Sequence, residues 1–178
     1  RSEALAAQVA AVRETYEECG LVVSPQALVY FCHWTTPASQ SKRFSTWFFA
    51  ARVLADSKNI VIDGGEIHDF KWILLEDAVK MHPAAELRLM PPTLLSLRLI
   101  NHYPTAAEAC AGLAKREPYR VTPRLSKIDG QLVSLYPGDA GYKDCDATID
   151  GPRHRLLFDP QGLQYIYSGD DVSMPAMD

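Results

Sequence analysis

The sequence predicts an α/β (α+β) fold for the first two thirds of the chain, followed by a small all-β extension. A helical apolar pattern opens the chain, three β-prone runs follow it, and three further helical patterns come next. From Pro118 onward, short β-prone segments alternate with turn signals instead. We therefore expect a mixed domain over residues 1–116 and a β-rich C-terminal extension over residues 117–178.

The first helix is predicted from an apolar stripe that repeats at helical spacing. Leu5, Val9, Val12 and Tyr16 lie on one side of a helix when successive residues turn by about 100°. We expect this side of the helix to be buried. Gly20 follows at the position where a left-handed residue commonly ends a helix.

Three β-prone runs come after the first helix: residues 27–33, 43–54 and 67–73. We expect the second run to pair antiparallel with the first. A turn at Asp63-Gly64-Gly65 precedes the third run, which alternates polar and apolar residues. Trp34 and Trp72 are expected in the core.

Start and stop signals predict three more helices, over residues 75–81, 91–99 and 106–115. The second opens with two prolines, which a helix tolerates in its first turn. The third begins with a capping box between Thr105 and Glu108. In the extension, four β-prone segments separated by turn signals predict two hairpins: residues 120–126, 131–136, 153–158 and 163–167.

Composition limits the partners that the protein can have. The 178 residues are 47% hydrophobic and 22% charged, which is typical of a globular domain. A net charge of −4 argues against a general nucleic-acid or anionic-membrane binder. No apolar run approaches the roughly 20 residues that span a bilayer. The four cysteines are scattered, which suits reduced thiols in an intracellular, cytoplasmic protein.

Three glutamates form the strongest chemical signal in the chain. Glu14, Glu17 and Glu18 lie at positions i, i+3 and i+4, nearly opposite the apolar stripe. Like charges at this spacing repel by a few tenths of a kcal/mol per pair. A hard divalent cation such as Mg²⁺ would offset that repulsion, because it prefers carboxylate oxygens. A solvated acidic face is the alternative interpretation of the same residues.

The residues around these glutamates resemble the second half of the Nudix box, Arg-Glu-(apolar)-x-Glu-Glu-x-Gly-(apolar). Residues 13–21 match it in register, with Thr15 at a position that is usually aliphatic. The first half of the box, Gly-x5-Glu-x7, would place a glutamate where Leu5 stands. Either a short insertion lets Glu3 or an earlier acid serve, or that part is absent. The chain also opens without Met inside the helical pattern, so we expect the domain's first strands to be missing.

This resemblance implies a Nudix α/β/α sandwich with a mixed sheet, and a hydrolase that uses Mg²⁺ or Mn²⁺. In the family pattern, Glu17 and Glu18 are the main metal ligands, and Glu14 also lies on the metal side. Arg13 is expected to hold this group through salt bridges. Glu66 matches a position from which many members recruit a further metal ligand or a general base. A hairpin-turn glutamate is the alternative interpretation of Glu66.

Further motifs resemble the peroxisomal-type coenzyme A diphosphatase branch and its bacterial relatives: His33-Trp34-Thr35-Thr36-Pro37, residues 43–49, Gly65-Glu66, Trp72 and residues 91–94. The resemblance implies coenzyme A or acyl-coenzyme A as substrate, cleaved to 3′,5′-ADP and 4′-phosphopantetheine. Arg43, Phe44 and Thr46 are the candidate substrate-binding residues. Arg43 is also explained as an exposed cation at the start of a strand.

Two other functions remain open at this point. One is an ADP-ribose or dinucleotide pyrophosphatase, and the other is a non-catalytic Nudix-fold nucleotide-binding module. The missing first half of the box motivates the binding module, whereas the intact set of three glutamates favours catalysis. In each case the expected partner is a small nucleoside-diphosphate-linked molecule rather than nucleic acid or membrane, and a homodimer is possible.

Overall fold

The computed structural model describes residues 2–53, 60–62, 64–65, 67–81, 89–160 and 162–169. Within these ranges the chain forms four α-helices: α1 (Ser2–Cys19), α2 (Leu75–Met81), α3 (Pro91–Ile100) and α4 (Ala106–Leu113). The same ranges contain seven strands: β1 (Val29–Thr35), β2 (Ser45–Ala50), β3 (Tyr119–Val121), β4 (Arg124–Ile128), β5 (Gln131–Leu135), β6 (His154–Asp159) and β7 (Gly162–Tyr167). The predicted α/β (α+β) class is confirmed.

The first sheet is mixed and has the order β2-β1-β3. β1 pairs antiparallel with β2, which places Trp34 opposite Thr46, and it pairs parallel with β3, which places Cys32 opposite Tyr119. β3 lies in the segment predicted as the C-terminal extension, so that segment contributes a strand to the first sheet. The division into two domains at residue 116 stays a prediction.

The second sheet is antiparallel with the order β4-β5-β6-β7. Both predicted hairpins are confirmed, since β4 pairs with β5 and β6 with β7. The turn between β4 and β5 places Asp129 at φ 51° and Gly130 at φ 82°. Positive φ at both central residues matches the right-handed twist of the flanking strands. The predicted run 120–126 is divided into β3 and β4 at Pro123, which cannot donate to a strand ladder.

One hydrophobic core joins the two sheets and the helices α3 and α4. Its buried members come from both halves of the chain: Phe31, Cys32, Trp34, Leu94, Leu95, Leu99, Leu113, Tyr119, Val121, Tyr136 and Leu156. The core prediction for Trp34 is confirmed. α3 and α4 therefore cover one face of the first sheet. α1 packs on β2, and the negative charge of its Glu3 acts on His33 at the other face.

The buried side of α1 was predicted wrongly. Leu5, Val9 and Tyr16 remain 61%, 57% and 60% exposed. The partly buried residues lie mostly on a neighbouring stripe instead: Ala4, Ala7, Gln8, Ala10, Ala11, Val12, Thr15, Glu18 and Cys19. Small side chains let the helix approach β2 and the single 3₁₀ turn at Pro25–Ala27. Gly20 ends α1 as predicted, with φ 71° and its N–H donating to the Tyr16 carbonyl at 2.9 Å.

The third β-prone run was also predicted wrongly. Residues 67–73 form no strand, and Trp72 is 61% exposed rather than part of the core. A segment with an alternating pattern forms a strand only where another strand pairs with its backbone. The described residues provide no such partner for this segment. The predicted turn residue Asp63 lies outside the described residues.

The remaining helix predictions are confirmed with small shifts at their ends. α2 has the predicted bounds, α3 extends one residue further, and α4 ends two residues earlier. Thr105 caps α4 as predicted, because the Glu108 N–H donates to Thr105 Oγ1 at 3.2 Å. The Glu108 carboxylate accepts the Thr105 hydroxyl at 2.8 Å rather than the Thr105 backbone N–H of a full capping box. All four cysteines are free.

Candidate active site

The C-terminal half of α1 carries an arginine that bridges two of the three glutamates. Arg13 Nη1 lies 2.7 Å from Glu17 Oε2, and Arg13 Nη2 lies 3.2 Å from Glu14 Oε1. All three side chains are exposed to solvent. The hydrogen bond to Glu17 and its negative charge raise the pKa of Arg13 above its ordinary value. The ion pairs keep the two carboxylates on one side of the helix.

Glu18 stands apart from this pair. It is half-buried on the side of α1 that packs inward, and it makes no hydrogen bond or ion pair with a described residue. In the described part of the chain, no three His, Cys, Asp or Glu side chains form a group that could hold a metal ion. The donor set itself suits a hard cation, because it consists of carboxylates. In this arrangement, however, Arg13 engages two of the three donors.

The end of α1 is tied to the segment that follows β2. The Val61 N–H donates to the Cys19 carbonyl at 3.2 Å, next to the left-handed Gly20. This bond satisfies one of the carbonyl groups that a helix leaves unpaired at its C-terminus. Glu66 lies outside the described residues, so its predicted role stays a prediction.

The predicted substrate-binding residues lie beside the end of β1. Arg43 Nε donates to the Thr36 carbonyl at 3.4 Å, and the Phe44 N–H donates to Thr36 Oγ1 at 2.9 Å. The ring of Phe44 is exposed, with the Lys42 ammonium 5.0 Å from its centroid. Thr46 is also exposed. All three residues are therefore exposed, and Arg43 and Phe44 both contact Thr36.

The contacts of α1 involve other residues than Arg43 and Phe44. The Gln8 amide donates to the Pro25 carbonyl, and the helix also packs on β2. Among the described residues, no hydrogen bond or ion pair joins Arg43 to Glu14 or Glu17.

A cavity of about 670 Å³ lies between the end of β2, the start of α2 and the connection from α3 to α4. Its wall is mostly apolar, with Phe49, Ile73 and Ile100 among the lining side chains and Asn101 and Thr105 as polar groups. The volume is in the range of small-molecule sites. Its described lining includes none of the predicted site residues. Local sequence patterns could not reveal it, because three separate segments form the wall.

A comparison with protein-family models identifies one match. The model of the NUDIX domain matches residues 2–92, which is just over half of the chain. The matched segment contains all of α1, with Arg13 and the three glutamates, and continues through β1, β2 and α2. No curated protein and no solved structure matches the chain. None of the described helices is long and apolar enough to cross a membrane.

Proposed function

The chain belongs to the Nudix family, and on that premise we propose that it is a metal-dependent diphosphatase acting on coenzyme A or acyl-coenzyme A. Nudix proteins hydrolyse nucleoside diphosphate derivatives and generally use divalent metal ions such as Mg²⁺. The products of the proposed reaction are 3′,5′-ADP and 4′-phosphopantetheine. The observation that carries the proposal is the placement of Glu14 and Glu17 on the exposed side of a helix within the matched segment.

In this proposal Glu14, Glu17 and Glu18 hold Mg²⁺ or Mn²⁺ through carboxylate oxygens. A cation held there supplies positive charge to the diphosphate and lowers the pKa of a bound water. Arg13 is a positioning residue, because its two ion pairs align the carboxylates of Glu14 and Glu17. Glu66 is proposed as a further ligand or as the general base that takes a proton from the attacking water.

The proposed substrate contacts lie in the segment that precedes β2. Arg43, assisted by Phe44 and Thr46, would bind a phosphate, since its hydrogen bond to a described residue is the single 3.4 Å contact with the Thr36 carbonyl. A guanidinium with unused donors can bind a phosphate group of the substrate in a bidentate manner.

A second candidate function is a nucleotide-binding module without turnover. The observation that favours it is the absence, in the described ranges, of three acidic side chains arranged around one point. The same chain would then bind nucleoside diphosphates with Arg13 still paired to its two glutamates.

Three further features belong to the proposal of a diphosphatase. They are a homodimer, a cytoplasmic location and a β-rich extension after residue 116.

The test is a turnover assay on the full chain. We would incubate it with Mg²⁺ or Mn²⁺ and with coenzyme A, acetyl-coenzyme A, ADP-ribose or NADH, and separate the products. We expect 3′,5′-ADP from the coenzyme A substrates, and loss of this product in Glu17→Gln. Glu117→Gln, which removes an exposed acid far from α1 in the sequence, is the control and should retain activity.

The other outcomes decide between the candidates. Turnover of ADP-ribose or NADH alone would keep the diphosphatase activity and reject the coenzyme A substrate. Nucleotide binding without turnover of any compound, with either metal, would support the binding module. Activity that survives in Glu17→Gln would reject the proposed metal site.

A further inference from the structure

The first sheet has a second face that does not join the hydrophobic core. His33 of β1 lies in register with Trp47 of β2 and with Arg120 of β3. Because residues directly opposite each other project to the same side of a sheet, these three side chains share one face. Their chain neighbours Trp34 and Val121 project to the other face and are buried in the core.

The aromatic side chains on this face are stacked and only half-buried. The rings of His33 and Trp47 have centroids 4.4 Å apart and planes inclined by 24°. The His33 ring is held in place by a hydrogen bond of 2.7 Å between its Nε2 and the Ser45 hydroxyl. Tyr30 lies nearby, and its ring packs at 5.7 Å from that of Phe49. The face therefore carries an ordered, partly exposed aromatic platform beside α1, which packs on β2.

The cation of Arg120 borders the platform. Arg120 is exposed, and no carboxylate of a described residue forms an ion pair with it. Its guanidinium affects both aromatic neighbours. The pKa of His33 is lowered, first by burial and then by the positive charge of Arg120. The pKa of Tyr30 is raised by burial, and Arg120 opposes that rise. The negative charge of Glu3 on α1 acts in the opposite direction and raises the pKa of His33, but its effect is smaller than that of Arg120.

We propose that the surface formed by Tyr30, His33, Trp47 and Arg120 binds the nucleotide half of the substrate. The purine base stacks on the aromatic platform, and a phosphate group takes the donors of Arg120. Naming the ligand as a nucleotide rests on the proposed function. The surface itself includes none of the α1 glutamates and none of the residues around Arg43.

The chemistry of the surface selects this class of ligand. A guanidinium offers a planar set of donors that matches a phosphate group in a bidentate manner. An exposed aromatic face stacks on any base, which makes such platforms common in nucleotide recognition. A peptide carboxylate would use the arginine and leave the aromatic face in water, and an apolar ligand would do the reverse. A nucleotide engages both.

The experiment measures binding of 3′,5′-ADP and of adenosine in the absence of metal, by calorimetry on the full chain. We expect Arg120→Gln to lower the affinity for 3′,5′-ADP about 10-fold to 100-fold, because a hydrogen bond to a charged group is lost. Adenosine binding should be unchanged in this variant. Arg120→Lys should recover part of the loss. The matched control is Lys127→Gln, which removes one exposed cation from β4 and should bind like the native chain.

Trp47→Leu tests the aromatic half of the proposal. It should lower the affinities for 3′,5′-ADP and for adenosine by similar factors, since both ligands contain the base. Thermal unfolding verifies that the variant folds. The proposal is overturned if the native chain does not bind 3′,5′-ADP, if Arg120→Gln binds it as tightly as the native chain, or if Lys127→Gln loses as much affinity as Arg120→Gln.

The same assay separates this proposal from the proposed function. If no substrate is hydrolysed but the Arg120 and Trp47 variants still lose binding, the surface stands and the diphosphatase activity does not. If hydrolysis occurs and the variants bind normally, the reverse holds.

Discussion

Two arginines in this protein form paired contacts with carboxylates in opposite environments. Arg13 on α1 bridges Glu14 and Glu17 at the surface, where all three side chains are exposed. Arg155 on β6 holds Asp139 where the two side chains are 5% and 0% exposed. The distances are similar, with 2.7 Å for the shorter contact of each arginine. The difference in burial gives the two groups different uses.

The buried pair is satisfied on every side. Arg155 donates to both carboxylate oxygens of Asp139, which also accept the N–H groups of Gly141 and His154 at 2.9 and 2.8 Å. Burial by itself would raise the pKa of Asp139, but these hydrogen bonds hold it below its ordinary value. The pair ties the loop after β5 to β6, and its hydrogen bonds are made to the protein itself.

The exposed group has the opposite character. Ion pairs in water contribute about 0–1 kcal/mol to stability, so the fold does not depend on Arg13 or its two glutamates. Their carboxylates can change partners at little cost. The comparison indicates that Asp139 and Arg155 stabilise the structure, while the acids of α1 are available for chemistry.

The largest expected effect is the loss of the buried pair. Asp139→Asn leaves the Arg155 charge buried without its counterion, and we expect the free energy of unfolding to fall by about 3–5 kcal/mol. Urea denaturation measures the change. The control is Asp150→Asn, which removes a fully exposed partner of Arg153 and should cost less than about 1 kcal/mol. A loss for Asp139→Asn no greater than that of the control would remove the distinction between the two regions.

A smaller effect is expected from acid. His154 is fully buried with Nδ1 2.6 Å from the Pro137 carbonyl, and burial lowers its pKa. A group with a lowered pKa contributes stability that is complete above the unfolded value of about 6.5 and is lost as the pH falls below it. We expect unfolding free energy to be flat from pH 8 to 7 and to decline below pH 6.5, by at most about 1.4 kcal/mol per pH unit for one proton.

The variant His154→Asn separates this contribution from others. An asparagine amide can donate to the Pro137 carbonyl in place of Nδ1, and it does not titrate. We expect urea denaturation of the variant to show a shallower decline below pH 6.5. Part of the decline should remain, because the pKa of His33 is also lowered. An unchanged slope would mean that His154 contributes nothing to acid sensitivity.

The smallest expected effect on stability is at the exposed group. Glu17→Gln breaks the shorter ion pair of Arg13, yet we expect the free energy of unfolding to change by less than about 0.5 kcal/mol. Urea denaturation beside Asp139→Asn makes the comparison direct. A loss above about 2 kcal/mol would show that α1 depends on this ion pair for its structure, and would assign the acids a structural role.

Short-range signals account for the correct parts of the sequence analysis. Gly20 ends α1, Thr105 and Glu108 cap α4, and the Asp129-Gly130 turn joins β4 to β5 as expected. Each depends on a few adjacent residues whose backbone preferences or hydrogen bonds are local. The Nudix family could likewise be predicted from residues 13–21, because the motif lies within a single helix and the residue that ends it.

Periodicity was a poorer guide to burial. The stripe of Leu5, Val9 and Tyr16 has the spacing of a buried face, yet α1 packs through its alanine-rich side. The alternating run that contains Trp72 lacks a covering strand among the described residues. A pattern shows which side of an element is apolar, but burial depends on which other segment approaches it.

The sequence by itself determined most helices, the two hairpins, the family and the position of the three glutamates on one helix. Only the tertiary structure decided that β3 pairs with β1, that Arg155 neutralises Asp139, and that Arg120 lies beside His33 and Trp47. The physical reason is that each of these contacts joins residues distant in the chain. Local propensity and hydrogen bonding carry no information about a partner that only folding brings near.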